Sequence, residues 1–175
     1  MIILPLDMDI LSPIDDHIFK TLLTHPDAKP VLIDVLSASI GRNVTSAEVR
    51  NNELPVSDDN EKGERFDVNC IIDHKDQADV EMHGSHIQEL DNEHTSFINK
   101  YTYYLTDLHS SQPSKGKKYH ELVRTYQITF CNYTIYPNRK DYITRASMRT
   151  EDGLQITDQL NFILIRPVLK PCKNS

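Results

Sequence analysis

Two alternating runs, FDVNCII at residues 66–72 and ADVEMH at residues 78–83, constrain this chain more than any other feature. In the first, Phe66, Val68, Cys70 and Ile72 alternate with Asp67, Asn69, Ile71 and Asp73; in the second, Ala78, Val80 and Met82 alternate with Asp79, Glu81 and His83. Side chains on a strand point to opposite faces in turn, so each run is a strand with one apolar and one polar face. The short polar stretch between them, DHKDQ, suits a hairpin loop. A hairpin centred on His74 sets Asp67 directly opposite Glu81, because antiparallel partners keep a constant sum of residue numbers. A slip of one residue sends the two acids to opposite faces.

Opposed residues hold their Cβ atoms roughly 4.5–5.5 Å apart. Two carboxylates at that distance repel unless one is protonated or a divalent cation lies between them. An oxygen-only site suits Mg²⁺ or Mn²⁺, which keep several waters and take further ligands from phosphate. Such a metal activates water and offsets the charge growing on a phosphodiester. His83 faces the same way as Glu81 and is placed to orient or deprotonate that water. The competing reading is an ordinary solvated face that happens to carry acids.

The rest of the chain supplies helices and further strands. LSPIDDHIFKTLL opens a helix, with Ser12 as cap, Pro13 at the first position, and Asp15 and Asp16 at the positive end. VLIDVLSASIG is a second helix, with Val31, Leu32, Val35, Leu36 and Ile40 inward and Gly41 as its stop. VTSAEVRNNEL is a strand or a connection, and PVSDDNEKGE a polar loop. Residues from about Ile87 to Ser111 form one long helix, because Leu90, Phe97, Ile98, Tyr101, Tyr104, Leu105 and Leu108 recur at three- and four-residue intervals. LVRTYQITFCNYTIY is a buried strand and NFILIRPVL another. The fold class is therefore α/β, a central mixed sheet flanked by helices.

With 175 residues, the chain is long enough for one domain with a full core. No run of apolar residues is long enough to span a membrane. The N-terminal MIILPLDMDI has no basic region and is interrupted by aspartates, a poor signal peptide. Cys70, Cys131 and Cys172 are scattered, which suggests reduced thiols in a cytoplasm. The net charge of −7 is unevenly spread: 8 Lys/Arg face 21 Asp/Glu over residues 1–112, but 8 face 2 over residues 113–150. That basic part is a phosphate-facing strip or a solvated surface. His83, His86 and His94 lack the helical spacing of a zinc motif and are expected at the surface. Tyr101 and Tyr104 are expected in the core, although a tyrosine cluster of this kind can also stack on bases.

Three blocks taken together, LSPIDDHIFKTLL, ELPVSDD…RFDVNC…ADVEMH and YYLTDLHSSQPSKGKKYHEL, resemble the recombination-promoting nuclease (Rpn) or putative transposase family of the PD-(D/E)XK nuclease superfamily. The resemblance runs from about Leu11 to Tyr136. It implies a restriction-endonuclease-like core over residues 1–136, a C-terminal extension over 137–175 that is short for the family, and a metal-dependent DNA endonuclease linked to recombination or transposition. It places Asp67 and Glu81 on the two motif acids, with Mg²⁺ or Mn²⁺ as cofactor and Asp16 assisting at the metal. His83 falls where the family carries Lys or Gln, and is given the catalytic role of holding or activating water. Lys100 takes the basic position before the YY pair. Lys100, Lys115, Lys117 and Lys118 are the expected DNA contacts. The partners are then DNA and, in a homodimer, a second copy, with no membrane and a cytoplasmic location. The rival readings are a catalytically silent DNA-binding or protein-interaction remnant, and a carboxylate-rich cation-binding protein.

Overall fold

A computed structural model describes residues 15–50, 67–84, 91–112, 118–131, 133, 135, 136 and 138–166. Helix α1 spans Asp16–Thr24 and α2 spans Lys29–Ile40, joined by a 3₁₀ turn at Pro26–Ala28; strand β1 is Ala47–Val49, β2 Val68–Ile72 and β3 Asp76–His83. Helix α3 follows at Asp91–Ser110, then β4 at Thr125–Cys131, β5 at Ile143–Ser147 and β6 at Leu160–Ile165. The six strands form one sheet in the order β1-β2-β3-β4-β6-β5. Strand β2 runs antiparallel to its neighbours β1 and β3, while β3, β4 and β6 are parallel, and β5 returns antiparallel along β6. The parallel β3–β4 pair requires a crossover, which α3 supplies.

Alternation divides the sheet into two unlike faces. Val68, Cys70, Ile72, Ala78, Val80, Met82, Ile128 and Ile163 pack against Phe19 and Leu23 of α1 and Leu32 and Leu36 of α2. The other face meets α3, where Phe97 and Tyr101 join Cys131 and Leu164 in a second apolar cluster. Between those apolar residues the second face carries Asn69, Gln77, Asp79, Glu81, Thr125, Gln127 and Thr129, all buried. A polar row under a helix is costly unless hydrogen-bonded. Its pairing is described with the site below.

Local details depart from the sequence expectations in instructive ways. The cap of α1 is Asp15, whose Oδ1 accepts the Ile18 N–H at 3.1 Å; Ser12 and Pro13 lie outside the described residues. In α2 the inward stripe is Leu32, Leu36 and Ser39, so Val31, one residue off that stripe, is exposed rather than inward. Gly41 ends α2 in the left-handed region at φ 80°, as its position suggested. Arg145 of β5 donates to the Ser39 and Ala38 carbonyls at 2.8 and 2.9 Å, satisfying the end of that helix. The sheet continues past Tyr136, since β5 and β6 are its last two strands. Cys70 and Cys131 are free, buried thiols, each pushed up to about 12, chiefly by burial.

The β2–β3 turn is tight. Asp73 and His74 both have positive φ, 52° and 58°, and the Lys75 N–H donates to the Ile72 carbonyl at 3.0 Å. Two left-handed residues are what a type I′ turn demands, and they cost roughly 1–2 kcal/mol each when not glycine. The Asp73 carboxylate offsets this cost. It accepts the Thr45 N–H and hydroxyl at 2.8 and 2.9 Å, the Ser46 N–H at 3.1 Å and Arg42 Nη1 at 2.6 Å. Arg42 also donates to Asp76 at 2.8 Å, so one guanidinium spans both ends of the turn.

Candidate active site

The β2–β3 ladder pairs Val68 with Val80, Cys70 with Ala78 and Ile72 with Asp76. One residue beyond its last pair, Asp67 stands opposite Glu81. There the backbone ladder gives way to side chains. The Asp67 N–H donates to Glu81 Oε1 at 2.9 Å, and the Met82 N–H donates to Asp67 Oδ2 at 3.1 Å. Each acid thus accepts a backbone N–H from the opposing strand, which fixes the position of both carboxylates.

Asp79 lies one step inward on the same face and is fully buried. Its Oδ2 accepts Gln127 Nε2 at 2.8 Å, from the β4 residue directly beside it. Burial, and then the charge of Glu81, holds its carboxyl well above the usual carboxylate range. The repulsion between these neighbouring carboxyls is thus expressed at Asp79, where burial adds to it.

His83 ends β3 inside an aromatic enclosure. Its Nδ1 is 3.0 Å from the Tyr101 hydroxyl, and its ring meets those of Phe97 and Tyr133 edge-on at centroid distances of 5.0 and 5.8 Å. Burial first, and the charge of Lys100 second, lower the imidazole below its ordinary range, so it is neutral near pH 7. Lys100 itself holds its ammonium over the Tyr101 and Tyr104 rings, 4.8 and 5.1 Å from their centroids.

The family model for PD-(D/E)XK nuclease family transposases matches residues 13–167. The chain belongs to that family. No curated protein and no solved structure matches it. Membership and the mixed six-stranded sheet flanked by helices together give the restriction-endonuclease-like PD-(D/E)XK fold, and with it a nuclease- or transposase-type function whose substrate is DNA. Among the described residues no helix is long and apolar enough to cross a membrane.

The PD-(D/E)XK chain has a second constellation, at the end of α3, where the YYLTDLHSSQ block stands. Gln77 Nε2 donates to the Leu108 carbonyl at 2.8 Å and to Thr125 Oγ1 at 3.1 Å. Gln112 Nε2 donates to Thr125 Oγ1 at 2.9 Å and to the Val123 carbonyl at 3.0 Å, while its Oε1 accepts the Val123 N–H at 2.8 Å. Thr125 Oγ1 also lies 2.9 Å from His109 Nδ1. Gln112 Nε2 also lies 3.1 Å from His109 Nδ1, and an amide N–H can only donate, so the contact calls for a neutral His109 with Nδ1 as acceptor. Burial lowers His109 in the same sense. The block clamps α3 to β3 and β4, and so holds the helix that covers the acids.

Of the residues singled out in the sequence, Asp67, Glu81 and His83 share one face and one end of the β2–β3 pair. Asp16 is the first residue of α1, whose Phe19 and Leu23 pack on the opposite face; nothing described concerns its side chain. Lys100 is exposed on α3 and Lys118 precedes a 3₁₀ turn at Tyr119–Glu121, while Lys115, Lys117 and His86 lie outside the described residues. His94 packs edge-on against Tyr136. Within the basic strip, Arg124 pairs with Asp158, Arg145 caps α2, and Arg149 donates to the Gly153 carbonyl at 2.8 Å. Those three arginines have structural partners. Among the described residues no three or more His, Cys, Asp or Glu side chains form a metal-holding group. Asp79, Gln127 and Tyr101 join the site without having been assigned roles in it. Asp79 had a usable signal, its place two residues before Glu81 on the same strand face.

Proposed function

We propose that this chain is a Mg²⁺- or Mn²⁺-dependent DNA endonuclease that hydrolyses phosphodiester bonds in recombination or transposition. The observation that carries the reading is the mutual bracing of Asp67 and Glu81 through backbone N–H groups, with neutral His83 next on the same face. The donor set is oxygen-only, and Mg²⁺ is ordinarily held by one or two carboxylates plus phosphate and water, so a two-acid site fits it without a third acid. Asp67 and Glu81 hold the metal, with Asp16 assisting. When bound, the metal supplies Lewis-acid stabilisation of the phosphoryl oxygens and acidifies water.

The chain's own residues supply the rest. The Met82 and Asp67 N–H groups fix the two carboxylates in place. His83, neutral and with Nδ1 committed to Tyr101, orients the attacking water through its other ring nitrogen. Asp79, held by Gln127 and with its carboxyl raised by burial and by Glu81, favours the uncharged form beside the metal-binding acids. Lys100, Lys115, Lys117 and Lys118 contact backbone phosphates. The same reading carries a cytoplasmic location and a homodimer, which light scattering on the purified chain checks.

Plasmid nicking with Mg²⁺ or Mn²⁺, by wild type beside Asp67→Ala and Glu81→Ala, tests the proposal. Cleavage by wild type that is lost in both variants is the expected result. A folded wild type that binds DNA without cutting it is instead a silent remnant of the family. Equal cutting by all three proteins removes Asp67 and Glu81 from the mechanism.

A further inference from the structure

Behind His83 the sheet face continues into a recess that the cleavage chemistry does not use. Cys131, the β4 partner of His83, forms its floor, and Tyr133, whose ring lies against His83, forms one wall. Tyr136, Arg139, Asp141, Tyr142 and Arg166 complete its rim. Tyr136 and Tyr142 are 39% and 54% exposed at its mouth. The Arg166 guanidinium lies 5.4 Å from the Tyr142 ring centroid. The Tyr133 hydroxyl is buried and has no hydrogen-bond partner among the described residues.

These groups fit one ligand chemistry better than others. Aromatic rings beside arginines are the usual means of stacking an unpaired base while neutralising its phosphate. Asp141 argues against a plain anion trap, because a carboxylate repels a second phosphate yet accepts the N–H of a base. The recess is open to one side and its volume, about 30 Å³, admits a water or the edge of a ring. A base would therefore lie across the mouth on the tyrosines, with its edge turned inward. A base pair inside a duplex presents no free face for this.

We infer that the Tyr133–Tyr136–Tyr142 recess receives one unpaired nucleotide next to the scissile phosphate, so that the substrate is DNA with a single-stranded flap, gap or extruded base. This rests on the DNA-cleaving reading above and narrows its substrate class. The test uses the full chain carrying Asp67→Ala, so that DNA stays intact, with a flapped duplex holding 2-aminopurine at its first unpaired position and a fully paired duplex of the same sequence. Tighter binding of the flap with quenched 2-aminopurine emission is expected. Adding Tyr136→Ala or Tyr142→Ala should weaken flap binding about tenfold and restore emission, with duplex affinity held within about twofold. Tyr142→Phe, which keeps the ring, should keep the quenching, and this also controls for folding. Equal affinity for the two DNAs, or flap binding unmoved by the alanine variants, overturns the inference and leaves the nuclease reading standing. Failure to bind either DNA overturns both.

Discussion

Tyr101 holds His83 by one hydrogen bond, hydroxyl to Nδ1 at 3.0 Å, and by an edge-on ring contact, from a helix position that is wholly buried. Burial, and the charge of Glu81 after it, raise the phenol well above its ordinary range, so it stays a neutral hydroxyl. The contact therefore fixes the ring without adding charge. Tyr101→Phe should keep the fold and slow cleavage by about tenfold, the worth of one positioning hydrogen bond. His83→Ala should cost about a hundredfold or more. Initial nicking rates measure both, and a Tyr101→Phe rate equal to wild type would sever Tyr101 from the mechanism.

Gln112 makes three hydrogen bonds to the segment leading into β4 and to its first residue. Gln112→Ala leaves the half-buried Val123 N–H and carbonyl without these partners. A loss of roughly 1–2 kcal/mol is expected in urea unfolding, the lower part of the range for orphaned polar groups because these are only half-buried. Arg124→Ala removes a partly exposed ion pair with Asp158, and should cost no more than about 1 kcal/mol. If the two variants unfold alike, the clamp has been given too much weight.

His109 makes stability depend on pH with a definite sign. Its folded pKa is lowered by burial, so below about pH 6.5 the unfolded chain binds more protons at this site. The His109 contribution is complete above that pH and is lost as the pH falls below it. His83 acts in the same sense, whereas buried Asp79, raised in the fold, acts in the opposite one. Wild type should thus lose more stability than His109→Gln between pH 7 and pH 5. Parallel denaturation curves for the two proteins across that interval would contradict the neutral assignment of His109.

Asp73 gives a second pH signature at the hairpin turn. Burial alone would raise its carboxyl, but hydrogen bonds from Arg42, Thr45 and Ser46 outweigh it and hold the group well below the usual range. Its stabilisation is present above about pH 3.9 and disappears as the pH falls through the lowered folded value. Asp73→Asn should cost roughly 2 kcal/mol at neutral pH, with the gap to wild type closing in acid. His74→Gly, at an exposed residue with φ 58°, should stabilise by about 1 kcal/mol. Thermal melts of both variants at two pH values settle the point.

The hairpin and its register were legible because alternation and a short loop leave few pairings, and the centre at His74 is the one observed. The polar face was visible too, but not that it is buried. Nothing in Asp79 or Gln127 says that α3 will cover them; that depends on where Phe97, Tyr101 and Leu108 dock, far along the chain. Strand β5 escaped notice because its residues are half-buried or exposed at a sheet edge and carry no apolar alternation. The partners of the arginines in the basic strip were hidden for a related reason. Arg124 and Arg145 look free in a local window, while their partners, Asp158 and the Ala38 and Ser39 carbonyls, are 34 and more than 100 residues away.

The turn between Ile72 and Asp76 also works as a counter. With only three residues between the paired Ile72 and Asp76, the turn has little slack to absorb an added or deleted codon, and any one-step shift of β2 against β3 carries Asp67 away from Glu81 while leaving both letters intact. A copy of this gene could then look complete at each motif position and still lack a cutting centre. Spacing across the hairpin is thus as heritable a part of the active site as its side chains, and sorting active from decayed members of the family should count residues there before matching them.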